Sequence, residues 1–213
     1  AGEGFFRHLY LEPSYYRGSV LPQNNSIRYL MREHLEAWQF NLGIQTDGSK
    51  EWHHHLNYPH LGVGFHHSNL GNNEIFGRVN ALYGTAAIKT LHPRYLFNLE
   101  HHLTAGFGFL SKHYDLQDNP LNMAFGGHVV LFVQYALLVP VRLGKSVELF
   151  AGPCFSHVSA AKVIQPNLGL HMLQIKAGGR YNLSPPIYAR RTEPKPLRDA
   201  NRHQLLLSVA TGI

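Results

Sequence analysis

From Tyr95 to Phe109 the odd positions read Tyr95, Phe97, Leu99, His101, Leu103, Ala105, Phe107 and Phe109. The even positions between them include Asn98, Glu100, His102, Thr104, Gly106 and Gly108. Successive side chains of a strand point to opposite faces, so this segment has one apolar face and one polar or small face. It is longer than an ordinary globular strand and suits a tilted strand that crosses a membrane. The alternation recurs. Leu131, Val133, Tyr135 and Leu137 oppose His128 and Gln134, and Leu173, Ile175, Ala177 and Tyr181 oppose Gln174, Lys176, Arg180 and Asn182.

Eight strands are expected, near 5–16, 34–45, 56–67, 75–89, 94–112, 122–140, 146–159 and 171–183. Short turns fall near Asp47-Gly48-Ser49, Leu91-His92-Pro93 and Leu143-Gly144-Lys145, and longer loops at 17–33, 68–75, 113–121 and 159–170. Outer-membrane barrels keep short turns in the periplasm and long loops outside. Strands ending at Gly18, Ser68, His113 and Ser159 are therefore expected to run outward. The expected class is all-β, an antiparallel transmembrane barrel of eight or more strands over residues 1–183. Residues 184–202, rich in Pro and Arg, read as a periplasmic connection, and 203–213 as a further strand of the barrel. A final strand without a terminal aromatic leads us to expect that the native chain continues past Ile213.

Composition sharpens this picture. Charged residues are 15% of the 213, against roughly 25% in soluble domains. The longest apolar run, Val129 to Val141, falls short of the roughly 20 residues a spanning helix needs. A membrane location therefore requires a closed barrel, because open strand edges cannot be satisfied in lipid. A soluble lipocalin-like barrel would place its apolar faces inside instead. Alternation alone does not separate the two; strand length, low charge and aromatic ends favour the membrane. The Ala1-Gly2-Glu3 start reads as a mature secreted chain. A net charge of +6 suits an anionic partner. Nucleic acid would need a recognition module that the sequence does not carry, which leaves lipopolysaccharide. The lone Cys154 excludes an internal disulfide and a Cys-pair zinc site.

His157 and Ser159 are two residues apart, on the face of Leu149, Ala151, Pro153 and Phe155. That puts a polar pair at the outer end of a lipid-facing stripe, where polarity is costly without a role. A Ser beside a His is the minimum for an activated nucleophile. The runs His53-His54-His55, His66-His67 and His101-His102 invite a metal. Neighbouring strand residues point apart, however, so neither metal nor cofactor is called for. Glu100, His102 and Asn98 are assigned to a polar lumen network.

His157-Val158-Ser159, followed by Gln165-Pro166-Asn167-Leu168-Gly169, resembles the lipid A 3-O-deacylase (PagL-type) family and its acyloxyacyl-hydrolase-like relatives in Bacteroidetes. Tyr58-Pro59-His60-Leu61-Gly62 and Asn69-Leu70-Gly71-Asn72 look like the Bacteroidetes branch. The resemblance covers roughly residues 55–183. It implies an outer-membrane esterase in which Ser159 attacks an ester-linked acyl chain of lipid A, His157 is the base and a third residue orients it. Asn167 and Gly169 would contact substrate. Independently of the resemblance, Arg17, Arg28 and Arg32 of the first long loop are positioned either to meet lipopolysaccharide phosphates or simply to be solvated. Two positions depart from the family. His171 stands where the family has an acid, and Ala160 follows the nucleophile where an Asn is usual. These departures also support an alternative, a catalytically inactive barrel subunit of a larger outer-membrane assembly.

Overall fold

The computed structural model describes residues 8–23, 25–91, 98–160 and 164–184. Eight antiparallel strands close into one barrel. They are β1 (Leu9–Leu21), β2 (Leu35–Gln45), β3 (His60–Asn69), β4 (Arg78–Lys89), β5 (Glu100–Leu110), β6 (Val129–Leu143), β7 (Val147–Ser159) and β8 (Leu170–Asn182). Each pairs with its neighbour in sequence, and β8 returns to β1 from Leu21↔His171 to Tyr10↔Asn182. Closure leaves no unpaired edge in the ring of described strands. Two short helices, α1 (Asn25–Leu30) and α2 (Glu51–His55), lie in the connections. We call the end carrying Leu21, Asn69, Leu110 and Ser159 the upper end.

The pattern that predicted the strands also sorts their faces. Val63, Leu82 and Ile175 point outward and are 64%, 60% and 58% exposed, while Arg180, Lys176 and Glu12 point inward and are about 1% exposed. A soluble barrel has the opposite arrangement. An apolar outer surface around a polar interior is the organisation of a barrel in lipid, and the lipocalin-like alternative is set aside. Among the described residues no helix is long and apolar enough to cross a membrane.

The lumen is filled in three layers. At the lower end Arg180 binds Glu12 at 2.7 Å, Glu100 at 2.6 Å and Glu148 at 2.9 Å. Lys89 binds Glu148 at 2.8 Å, and Lys176 lies 3.5 Å from Glu12. His102 is wedged between Glu100 and Lys176. Three carboxylates thus face one arginine and two lysines. At mid-height the polar groups are neutral: Tyr16 donates to Gln134, Gln134 to Ser156, and Ser156 to Gln174. The upper layer is apolar. Val130, Phe132, Val158 and Met172 of the strands meet Ile27 of α1 and Leu70, Phe76 and Phe125 of the upper loops.

Several expectations need correction. β1 continues to Leu21 alongside β8, so Arg17 is an outward strand residue and not part of a loop. The exposed Arg17 interrupts the apolar outward series, which is why the strand looked finished at Tyr16. β6 begins at Val129. Residues 122–125 instead belong to an upper lid, where Asn122 donates to the Ile75 carbonyl and Phe125 is fully buried. The connection at Asp47 is not short: it runs over residues 46–59 and contains α2. Loop lengths therefore alternate less cleanly than expected. Asn98 does not join the lumen network; its side chain bonds the backbone of Leu91 in both directions. The expected connection at 184–202 and strand at 203–213 fall outside the described residues, except for Ser184.

Candidate functional site

Strand β7 carries Phe150, Cys154, Ser156 and Val158 into the lumen and presents Leu149, Phe155, His157 and Ser159 outward. Register brings His171 of β8 directly opposite His157 and places Leu131 of β6 opposite Ser159. The two imidazole centroids are 4.6 Å apart with a 59° tilt, and Phe155 lies 5.5 Å from the His171 ring. His157, Ser159 and His171 are each half-buried. They form a polar island at the upper end of a largely apolar outer surface.

The loop before β8 closes over this island. Gly169 has φ +63, and a Cβ there would stand 2.9 Å from the Val158 carbonyl and 3.2 Å from His157 Cε1. Only a residue without a side chain allows this approach without strain. The loop is held from behind, because the N–H groups of Leu168 and Gly169 donate to the carbonyls of Met123 and Ala124 at 3.2 and 3.1 Å. Asn167 Oδ1 accepts the Ala160 N–H at 2.8 Å. Asn167 is thus a loop fastener, and it occupies the amide that follows Ser159, one natural donor to an oxyanion.

The hydrogen bonds of an activated triad are not formed in this state. Among the described residues no hydrogen bond links Ser159 Oγ to either imidazole. His157 Nδ1 is buried without a well-formed hydrogen bond, beside the Leu170 backbone. The buried carboxylates Glu12, Glu100 and Glu148 are committed to Arg180 in the lower lumen.

The remaining expected contacts are dispersed. Arg17 pairs across β8 with Ile175, four residues along from His171, roughly 13 Å by strand rise. Arg28 is exposed on α1, and Arg32 bonds Glu74 at 2.8 Å. Among the described residues neither touches His157 or Ser159. No cluster of three or more metal-ligating side chains occurs among them either. His53 and His54 serve the lower connection: His53 Nδ1 accepts from Gly48 N–H at 3.1 Å, and His54 bonds Tyr58. Sequence reading missed the ionic layer of Glu12, Lys89, Glu148, Lys176 and Arg180. Its signal was the charged residues on the inward face of four different strands.

No family model and no curated protein matches the chain. Solved structures similar to it include the following three. Neisserial surface protein A (NspA) matches with 10% identity and a TM-score of 0.51, over 82% of this chain and 96% of that one. The outer membrane enzyme PagL matches with 12% identity and a TM-score of 0.49, over 78% and 97%. The N-terminal β-barrel domain of Pseudomonas aeruginosa OprF matches with 6% identity and a TM-score of 0.42, over 81% and 97%. At such identities it is the barrel architecture that is shared.

Proposed function

We propose that this chain is an outer-membrane barrel whose lipid-facing Ser159 removes an ester-linked acyl chain from lipid A. The observation that carries the reading is the outward His157–Ser159 pair with His171 in ring contact, at the upper boundary of the apolar surface. A headgroup-proximal ester of an outer-leaflet lipid would lie at that height. Ser159 Oγ attacks the ester carbonyl as His157 takes its proton. Collapse of the tetrahedral intermediate expels the sugar alcohol, which takes the proton back from His157. Water, activated by the same imidazole, then hydrolyses the acyl-serine. His171 orients His157 as a second imidazole, without the negative charge that a carboxylate would supply. Asn167 and Gly169 shape the wall of the site, and Arg17, Arg28 and Arg32 attract the lipid phosphates.

The test is mass spectrometry of lipid A from cells carrying the wild type or Ser159→Ala. Wild-type cells should yield lipid A lacking one acyl chain, and the variant should restore it. Identical acylation in the two strains would sink the esterase reading.

A second reading is favoured by one specific contact, the Asn167 bond that occupies the Ala160 amide. It makes the chain a non-catalytic barrel subunit of a larger outer-membrane assembly. Extraction in mild detergent followed by native sizing separates the two. A species of one barrel mass counts against the assembly.

A further inference from the structure

A second polar island lies on the outer surface, on the opposite side of the barrel from Ser159. His67 of β3 and Asn80 of β4 are outward register partners, flanked in the same row by Trp38 and Phe109. His67 Nδ1 and Asn80 Oδ1 are 2.7 Å apart. Since Oδ1 can only accept, Nδ1–H is the donor, and the Asn80 amide hydrogens remain for another acceptor. Arg78 is the next outward residue above Asn80 and is exposed. Arg78 Nε donates to Asn73 Oδ1 at 3.4 Å, which leaves its two terminal nitrogens for a phosphate; the acids at this end of the face include Glu36, the register partner of Arg17 with Asn69 between it and Arg78, and Glu33, which accepts from Asn73.

Directly below the island, the outer surface opens. Phe40, Phe65, Leu82 and Phe107 form the next row down. In the row beneath them the side chains shrink to Gly84 beside Ala105. The result is a groove of about 630 Å³ with Phe40, Val63, Phe65 and Phe107 among its walls. A Cβ built on Gly84 would meet nothing within 4 Å. Each row is two residues down the strand, roughly 7 Å. A cationic and amide-bearing head site therefore stands immediately above an apolar trench, in the order of a lipid's own parts.

We propose that the β2–β5 face holds one phosphate-bearing acyl lipid of the surrounding leaflet, with its phosphate on Arg78 and the Asn80 amide and an acyl chain in the groove over Gly84. Arg matches phosphate geometry with two parallel donors. A polar pair facing hydrocarbon is costly unless a partner satisfies it, and the phosphate does so here. This site is independent of Ser159 and stands or falls separately from the esterase.

The experiment uses the intact barrel in detergent, with lipids retained during native mass spectrometry. The probes are dimyristoyl phosphatidylglycerol and dimyristoylglycerol, which share chains but not the phosphate. Wild type should retain one phosphatidylglycerol and about tenfold less diacylglycerol. Gly84→Leu fills open space without disturbing the barrel, and Arg78→Ala removes the cation. Each should lower phosphatidylglycerol retention about tenfold, while Ala177→Leu on the outer face of β8 leaves it unchanged. Equal retention of the two probes, or full retention by either the Gly84 or the Arg78 variant, overturns the proposal. So does a two-barrel species that Gly84→Leu abolishes, which would assign the face to a second copy.

Discussion

The lower and upper halves of the lumen are both packed shut by side chains, yet opposite chemistries do it. Below, Arg180 is shared by Glu12, Glu100 and Glu148, with Lys89 and Lys176 completing the balance. Above, Phe132, Val158, Phe76 and Phe125 pack as an ordinary core. The ionic layer is built almost wholly from strand residues whose register sets their separation. The apolar layer recruits α1 and the loops at 70–77 and 111–128. One half thus depends on the ring, and the other on what folds over it. Buried charge is tolerated only when fully paired, so the lower layer is the more brittle of the two.

The comparison can be broken most sharply at Arg180. Arg180→Ala leaves three carboxylates facing two lysines and should cost about 4 kcal/mol, the scale for removing one partner of a buried pair. Urea unfolding in detergent micelles checks it. Pairing Arg180→Met with Glu100→Leu should recover about 1–3 kcal/mol of the summed single losses, because the two residues share one network. Strict additivity would show that the layer does not act as a unit. Phe132→Ala in the upper layer should cost about 3 kcal/mol through its cavity, without such coupling to Glu100.

The smallest effect concerns pH. Burial holds the His53 imidazole below its ordinary value, and its Nδ1 accepts from Gly48 N–H at 3.1 Å. Because the folded value is lower than the unfolded one, this contribution is complete above about pH 6.5 and shrinks as pH falls toward the folded value. Asp47 beside it is held down to about 2 by hydrogen bonds from Ser49, so it stays charged throughout. Hydrogen exchange of residues 46–59, corrected for intrinsic rates, should quicken between pH 7.5 and 5.5, while the loop at 70–77 changes less. Equal changes in both would remove His53 as the cause.

The comparison also explains what was legible beforehand. Strands β5 and β8 could be read because their inward and outward positions differ in kind at nearly every step. β1 was misjudged where Arg17 faces outward, and the start of β6 where Phe125 and Met123 mimic alternation inside an irregular lid. A period of two reports a strand only where the chain is extended. His157 and Ser159 were legible as neighbours on one face, since strand geometry guarantees it. That Asn167 fastens the loop at Ala160, or that Gly169 packs against His157, depends on contacts of the loop that no spacing encodes.

Local sequence, then, was enough to determine the strand class, the division of each strand into two unlike faces and the His157–Ser159 juxtaposition, because each follows from the two-residue repeat of an extended chain; which face turned outward was decided by the closed barrel. Tertiary structure decided the rest. It brought His171 into ring contact with His157, gathered five charges from five strands around Arg180, and set His67 and Asn80 above the groove at Gly84. Each of these depends on which residue stands opposite which across neighbouring strands or across the lumen. That register is set by closure of the whole ring, not by any one segment.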